Sequence, residues 1–283
     1  MNTHMRFPDV LLLLEKAATL LSVRLEKEPQ NLVLLEKLGD VCRQLGKLGK
    51  AGELFDRLSE LDPSSVKAAH LAAIMNQRQY LSELPKEGIE PSPFFIKENF
   101  LPQILHDDLL SFALENEDKF TPSPCLSKEM GWVVRPEIRN SSQTPLSVDL
   151  MDRIWTFVRP LLPDICALLR IRDIPDKKGS WYLQSYGGGG FGHRHTDDLG
   201  GVNRISMVYY LCFPQKTFTG GSFLLYDRDV SDGDAFPDGN TQLPFVDNLL
   251  VAFPSERSHA ITLVNCPQTG IRYGRLALPI HLG

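Results

Sequence analysis

Tyr186-Gly187-Gly188-Gly189-Gly190-Phe191-Gly192-His193-Arg194-His195-Thr196-Asp197 is the stretch on which the reading of this chain turns. On a strand, alternate side chains share a face, so His195 and Asp197 point the same way. An imidazole and a carboxylate presented together form two parts of a 2-His-1-carboxylate facial triad, which holds a metal on one face and leaves the opposite face open. A second histidine must come from elsewhere. Of the seven histidines, His4, His70 and His106 lie before the β-rich region and His281 is close to the end. His259 follows the apolar run ending in Phe253-Pro254-Ser255 and begins another, which makes it the candidate. His193 is a competing ligand two residues before His195. Asp198 points the other way, toward solvent or a supporting position. The glycine run lacks the strand-to-helix context of a phosphate loop, which argues against nucleotide binding.

Outward from this stretch, segments rich in β-branched and aromatic residues alternate with Gly, Asp and Pro turns at 181–186, 205–213, 222–226, 248–253, 259–264 and 272–281. Short strands at this spacing predict a sandwich or barrel. Residues 227–239, DRDVSDGDAFPDG, are acidic and turn-rich. They do not fit a calcium-binding EF-hand loop and read as a solvated insertion, or as a lid that steers a basic substrate. Upstream, helices are expected at about 102–120 and 148–169, the second broken or kinked by Pro160 and Pro163.

The first 80 or so residues read as helix after helix. Leu13, Ala17, Leu20 and Leu21, then Leu35, Leu38 and Cys42, recur at three- and four-residue spacing. Pro29 and Pro63 frame Leu35, Leu38-Gly39, Ala51 and Phe55 in a pattern that resembles one tetratricopeptide repeat. Gly39 and Ala51 would let two helices approach while Phe55 fills the groove. Ala17 and Leu21 suggest a partial repeat before it, and a generic helical hairpin is the simpler alternative. The Pro/Gly/charged stretch 83–93 is a natural boundary. The expected organisation is α+β: an all-α tetratricopeptide-like region (1–84), a linker (85–93) and a second domain (94–283) with its β core at about 180–283.

The net charge of −5 and pI of about 5.8 do not suggest nucleic acid or an anionic membrane as a partner. No apolar run approaches a membrane span, and Leu11–Leu14 runs straight into Glu15 and Lys16. Five scattered cysteines without a CxxC argue against a disulfide scaffold or cysteine zinc site and fit reduced thiols in the cytoplasm.

An HxD pair alone occurs by chance; its ordered neighbours carry the argument. Tyr186 and Phe191 precede it. Tyr209-Tyr210-Leu211, Gly220-Gly221, Phe253, His259 and Gly270-Ile271-Arg272 follow in order. Together they resemble the prolyl 4-hydroxylase-like branch of the 2-oxoglutarate/Fe(II)-dependent dioxygenases, over roughly 94–283. The resemblance implies a double-stranded β-helix, or jelly roll. It implies Fe(II) on His195, Asp197 and His259, with 2-oxoglutarate and O2 as cosubstrates and ascorbate as a candidate reductant. Arg272 matches the residue that pairs with the distal carboxylate of 2-oxoglutarate, with Arg275 as the alternative; a guanidinium suits that role because it is bidentate and always charged. Alternation puts Arg272 and Arg275 on opposite strand faces, so they cannot both point in unless the strand bulges. Tyr186 and Tyr210 match cosubstrate-binding phenols, although each could equally be a core aromatic.

The resemblance further implies oxidative decarboxylation of 2-oxoglutarate to succinate and CO2, coupled to hydroxylation. Related halogenases have Gly or Ala where Asp197 stands, so a carboxylate there favours hydroxylation. The implied substrate is an amino-acid residue, such as proline, in a peptide or protein. A free amino acid or small natural-product precursor is the alternative. An inactive peptide-binding module and a cupin-type Zn or Mn enzyme are readings of other classes.

Overall fold

The computed structural model describes residues 7–80, 83, 87–127, 129–173, 179, 181–231, 233 and 235–283. Two compact units emerge: Met1–Pro93 with Leu224–Leu243, and Phe94–Phe223 with Pro244–Gly283. The expected 84/85 boundary lies outside the described residues, as does His4.

The first unit contains α1 (Phe7–Lys27), α2 (Leu32–Gln44), α3 (Leu48–Leu61) and α4 (Val66–Met75). Side chains cap two of them: Asn31 accepts from the Leu34 N–H at 3.1 Å and Ser65 from the Ala68 N–H at 3.3 Å. The stripes of α2 and α3 meet as the spacing predicts, with Leu34, Leu35, Leu38 and Cys42 of α2 and Ala51, Leu54, Phe55 and Leu58 of α3 buried. In α1 the expected stripe fails, since Leu13 and Leu20 are exposed and Ala18 and Leu25 are the buried residues. Gly39 is required where it stands, because a Cβ there would lie 2.7 Å from the Phe55 ring.

What completes this unit corrects the reading of residues 227–239. Of the described residues, 227–229 and 235–239 lie in strands and are not a solvated insertion. The strand Phe223–Asp229 continues past the unit boundary and pairs with the strand Ala235–Leu243 and, antiparallel, with Ile89–Glu90. Asp227 is buried, and its carboxylate receives Arg43 Nη2 at 2.6 Å and Nη1 at 3.2 Å. Arg43 Nη1 also donates to Thr241 Oγ1, and Nε donates to Asp40. Composition pointed to solvent because a single buried carboxylate is invisible among exposed ones. Asp227→Ala is expected to destabilise this unit by about 3 kcal/mol, since it removes the bidentate partner of a buried guanidinium and leaves it only Asp40 and Thr241. Chemical denaturation of the two proteins checks this; a loss well below about 1 kcal/mol would mean that Arg43 finds water instead.

The second unit is built on a seven-stranded antiparallel sheet. In spatial order its strands are Phe95–Glu98, Leu249–Pro254, Ile205–Leu211, Arg275–Leu282, Tyr182–Tyr186, Ser142–Pro145 and Thr121–Pro122. One face carries Ile205, Met207, Tyr209 and Leu211 with Leu276, Leu278, Ile280 and Leu282. These pack with residues of α5 (Gln103–Glu115), α6 (Val148–Val158) and α7 (Leu162–Leu169). Pro160 lies in a 3-10 turn, Arg159–Leu161, that separates α6 from α7, and Pro163 sits in the first turn of α7, where a missing N–H costs nothing. Alternation turns Ser206, Tyr210 and Arg275 to the opposite face. A smaller antiparallel sheet holds Arg139–Asn140, Phe191–His195 and His259–Ile261 side by side. This is a jelly-roll-like arrangement of antiparallel sheets preceded by helices, the expected α+β class. The last long strand is shorter than expected. It begins at Arg275, because Gly270, at φ 105°, leads into a 3-10 turn over Ile271–Tyr273. No helix among the described residues is long and apolar enough to cross a membrane.

Candidate metal centre and cosubstrate pocket

Strand pairing brings the two histidines together. His259 stands directly across from His195 in the antiparallel ladder, and directly opposed residues project to the same face. Their ring centroids are 4.3 Å apart. Asp197 reaches the same point by a different route from the one alternation suggested. The strand ends at His195, and Asp197 is fixed just beyond it by two hydrogen bonds. Its N–H donates to the Ser255 carbonyl at 2.9 Å, and its own carbonyl accepts from Asn203 Nδ2 at 2.7 Å. The Asp197 carboxylate oxygens then lie 3.6 Å from His195 Nε2 and 3.4 Å from His259 Nε2. The three ligand atoms fall within 4.8 Å of one another.

The tautomers suit a metal. His195 Nδ1 is 2.7 Å from the His193 carbonyl and His259 Nδ1 is 3.1 Å from the Arg257 carbonyl. A carbonyl can only accept, so each Nδ1 carries the proton and each Nε2 presents its lone pair toward Asp197, that of His195 also accepting from Arg139 Nη2 at 2.7 Å. Burial pushes the His195 imidazole down to about 3, helped by His259 and opposed by Asp197. Burial lowers His259 as well. Burial alone would raise Asp197, but the flanking histidines 259, 281 and 195 hold its carboxyl well below the usual range. Two neutral imidazoles and one carboxylate are the donor set a divalent iron takes. Phe223 stacks on His259 at 5.2 Å and Phe253 packs edge-on at 4.8 Å, which fixes the ring.

His193 is exposed and supplies its carbonyl, not its ring, to this arrangement; it is not among the clustered ligand atoms. Asp198 accepts from Thr196 Oγ1 at 3.0 Å. His106 is buried elsewhere, 2.6 Å from the Tyr209 hydroxyl. His281, discounted for its closeness to the end of the chain, lies 3.8 Å from Asp197 and 3.1 Å from the Ser206 hydroxyl, which in turn meets Ser255 at 2.9 Å.

The two arginines separate cleanly. Arg272 is exposed in the 3-10 turn with its guanidinium over the Phe213 ring, at 5.3 Å. Arg275 is fully buried. Its Nε donates to the Gly221 carbonyl at 3.0 Å, while Nη1 and Nη2 have no hydrogen-bond partner. Tyr186, Tyr210 and Phe245 surround it at 4.9–5.2 Å. Gly221, at φ 66°, allows this approach, since a Cβ there would meet Arg275 Cδ at 2.8 Å. Burial pushes the Tyr210 phenol up to about 12, against the opposing Arg275 charge, and its hydroxyl also lacks a hydrogen-bond partner. The Tyr186 hydroxyl donates to Gln184 Oε1 at 3.2 Å. A buried guanidinium with two open nitrogens beside an unpartnered phenol is a cradle for a carboxylate. The premise that the two arginines share a strand does not hold.

Between the Phe191–His195 strand and the hairpin of Cys125–Ser127 and Gly131–Val133, an open cleft of about 590 Å³ leads to the triad. Arg139, which the sequence offered no reason to single out, lines it together with His281, Leu126 and Trp132.

Comparison with known proteins agrees with this geometry. Residues 181–278 match the 2OG-Fe(II) oxygenase superfamily, so this segment carries a 2OG-Fe(II) oxygenase domain. The family implies Fe(II), 2-oxoglutarate and O2. A PKHD-type hydroxylase of Synechocystis is 21% identical over 186 residues, 64% of this chain; the chain spans 60% of that relative's length. The fold is similar to that of a Pseudomonas putida prolyl-4-hydroxylase, with TM-score 0.50, 17% identity, and coverage of 68% of this chain and 92% of that one. It is also similar to a Trichoplax adhaerens prolyl hydroxylase solved with a peptide fragment of hypoxia inducible factor. There the TM-score is 0.52 at 18% identity, covering 67% of this chain and 82% of that one.

Proposed function

We propose that this chain hydroxylates an unactivated C–H bond of an amino-acid residue, such as proline, in a peptide or protein. The observation that carries the reading is the presence in one unit of two polar sites: the His195–Asp197–His259 cluster and the buried Arg275 guanidinium, whose Nη1 and Nη2 have no hydrogen-bond partner. His195 and His259 would hold Fe(II) through Nε2, with Asp197 as the anionic ligand. Arg275 would take the distal carboxylate of 2-oxoglutarate, in place of Arg272, with Tyr210 and Tyr186 beside it. Bound iron supplies the oxidising chemistry: 2-oxoglutarate loses CO2 to give succinate, one atom of O2 enters succinate and the other enters the substrate C–H bond.

The residues' own work is positioning. The carbonyls of His193 and Arg257 keep both imidazoles in the ligating tautomer. Phe223 and Phe253 hold the His259 ring and exclude water on that side. A buried, permanently charged Arg275 selects a ligand with a carboxylate at its far end. Two observations favour a peptide: the open cleft and the similarity in fold to a prolyl hydroxylase solved in complex with a peptide fragment. The N-terminal helices, paired by the Gly39–Phe55 contact, fit the tetratricopeptide-like reading, and such helices commonly form peptide-binding surfaces. Five free cysteines fit a cytoplasmic setting.

The test is incubation with Fe(II), 2-oxoglutarate and a set of proline-containing peptides, read by mass spectrometry. A peptide that gains one oxygen atom with matching succinate is expected. Product only with free amino acids would overturn the peptide reading. Absence of the visible Fe(II)–2-oxoglutarate charge-transfer band under anaerobic conditions would overturn the enzyme reading itself.

A further inference from the structure

The proposed iron site leaves one cation on the cleft unaccounted for. Arg139 begins the short strand Arg139–Asn140 and lies across from Gly192 of the His195 strand. Its Nη2 is 2.7 Å from His195 Nε2. His195 Nδ1 is engaged with the His193 carbonyl, so Nε2 is the acceptor and Arg139 the donor. That Nε2 lone pair is also the one that faces Asp197 and His259. A guanidinium and a metal ion cannot share one lone pair, and two cations at that distance repel. When the metal site is filled, Arg139 therefore loses its hydrogen bond while staying beside the centre.

Among the described residues no second side-chain acceptor stands in for it. The carboxylate whose charge Arg139 acts on is Asp197, which the filled site would use as its anionic ligand. Arg135, also on the cleft, is paired with Glu137 at 2.8 Å. Asp198, the remaining carboxylate on the cleft wall, takes the Thr196 hydroxyl. Around this charge the wall is apolar and exposed: Leu126, Trp132 and Leu199. The cleft thus offers one planar, always-charged donor next to the reacting centre and greasy flanks on either side.

We propose that the substrate carries a carboxylate beside the carbon that is hydroxylated, flanked by apolar groups, and that Arg139 receives it. This rests on the iron and 2-oxoglutarate reading above. The carboxylate can belong to an acidic side chain adjacent to the target residue or to the α-carboxylate of the target itself, and the two sources are separable by experiment.

The experiment measures binding, not turnover. Calorimetry on the Mn(II)-loaded full chain with N-oxalylglycine, an inert 2-oxoglutarate analogue, would compare four kinds of proline ligand. These are peptides with Asp or Glu beside proline, their Asn or Gln counterparts, peptides ending in proline as free acid or carboxamide, and free proline. The acid member of at least one pair is expected to bind about tenfold tighter or more than its neutral partner. Which pair shows the difference identifies the source. Arg139→Gln should erase the difference and Arg139→Lys should keep part of it, with the anaerobic Fe(II)–2-oxoglutarate band as the control that each variant is folded and loaded.

Equal binding of acid and neutral partners, or no binding by any acid ligand at millimolar concentration, overturns the inference while a normal band leaves the oxygenase reading standing. Loss of 2-oxoglutarate affinity in Arg139→Gln with the acid preference intact also overturns it, and moves Arg139 to the cosubstrate. Absence of the band in the unaltered chain overturns both readings.

Discussion

Arg275→Met should raise the 2-oxoglutarate concentration that half-saturates the charge-transfer band by about a hundredfold or more, and Arg272→Ala should move it by less than about threefold. The contrast follows from burial. Arg275 is sealed among three aromatic rings, with two guanidinium nitrogens open and Nε tied to the Gly221 carbonyl. A carboxylate bound there is cut off from water, so removing the guanidinium strands a buried anion, a loss of about 3–5 kcal/mol. Arg272 lies on the surface over Phe213, where any ion pair it makes is worth less than about 1 kcal/mol. Arg275→Lys separates charge from shape: it retains the cation and loses the fork, so an intermediate affinity is expected. If Arg272→Ala proves the more damaging, the pocket has been misassigned.

Asp197→Ala should reduce succinate formation by about a thousandfold or more, to the level of protein without iron. The carboxylate is the sole anionic donor in the cluster and touches both Nε2 atoms. Without it, two neutral imidazoles hold a divalent ion weakly. Iron content after gel filtration, measured beside succinate, separates a lost metal from a mispositioned one. The backbone of residue 197 is held by Ser255 and Asn203, so the apo variant should keep its circular dichroism spectrum. Retained turnover at normal iron content would remove Asp197 from the ligand set. His195→Ala is expected to behave alike.

How much of this was legible in the sequence depended on distance along the chain. His195 and Asp197 are ligand-type residues two apart, and His259 stood out because few histidines lie in the β region. The shape of the pocket was less visible. The resemblance favours Arg272, with a strand expected from 272, but a positive φ at Gly270 and a 3-10 turn over Ile271–Tyr273 delay that strand until Arg275. Arg139 carried no signal at all: it sits 56 residues from the histidine it touches, in a two-residue strand without an apolar pattern. His281 was set aside by position although pairing in the long last strand places it beside Ser206. Asp227 was lost in an acidic run, since sequence composition averages over residues and burial acts on one.

That last residue also sets an order of events. Arg43 and its carboxylate are 184 residues apart. During synthesis the four helices leave the ribosome long before the strands that cover them, with Arg43 still without Asp227. The helical part can curl locally at once, because its contacts are short in sequence, but its closing step waits for the middle of the oxygenase segment. The N-terminal unit is therefore begun first and finished late, and a nascent chain halted before residue 227 would display an α2 face that the complete protein never shows.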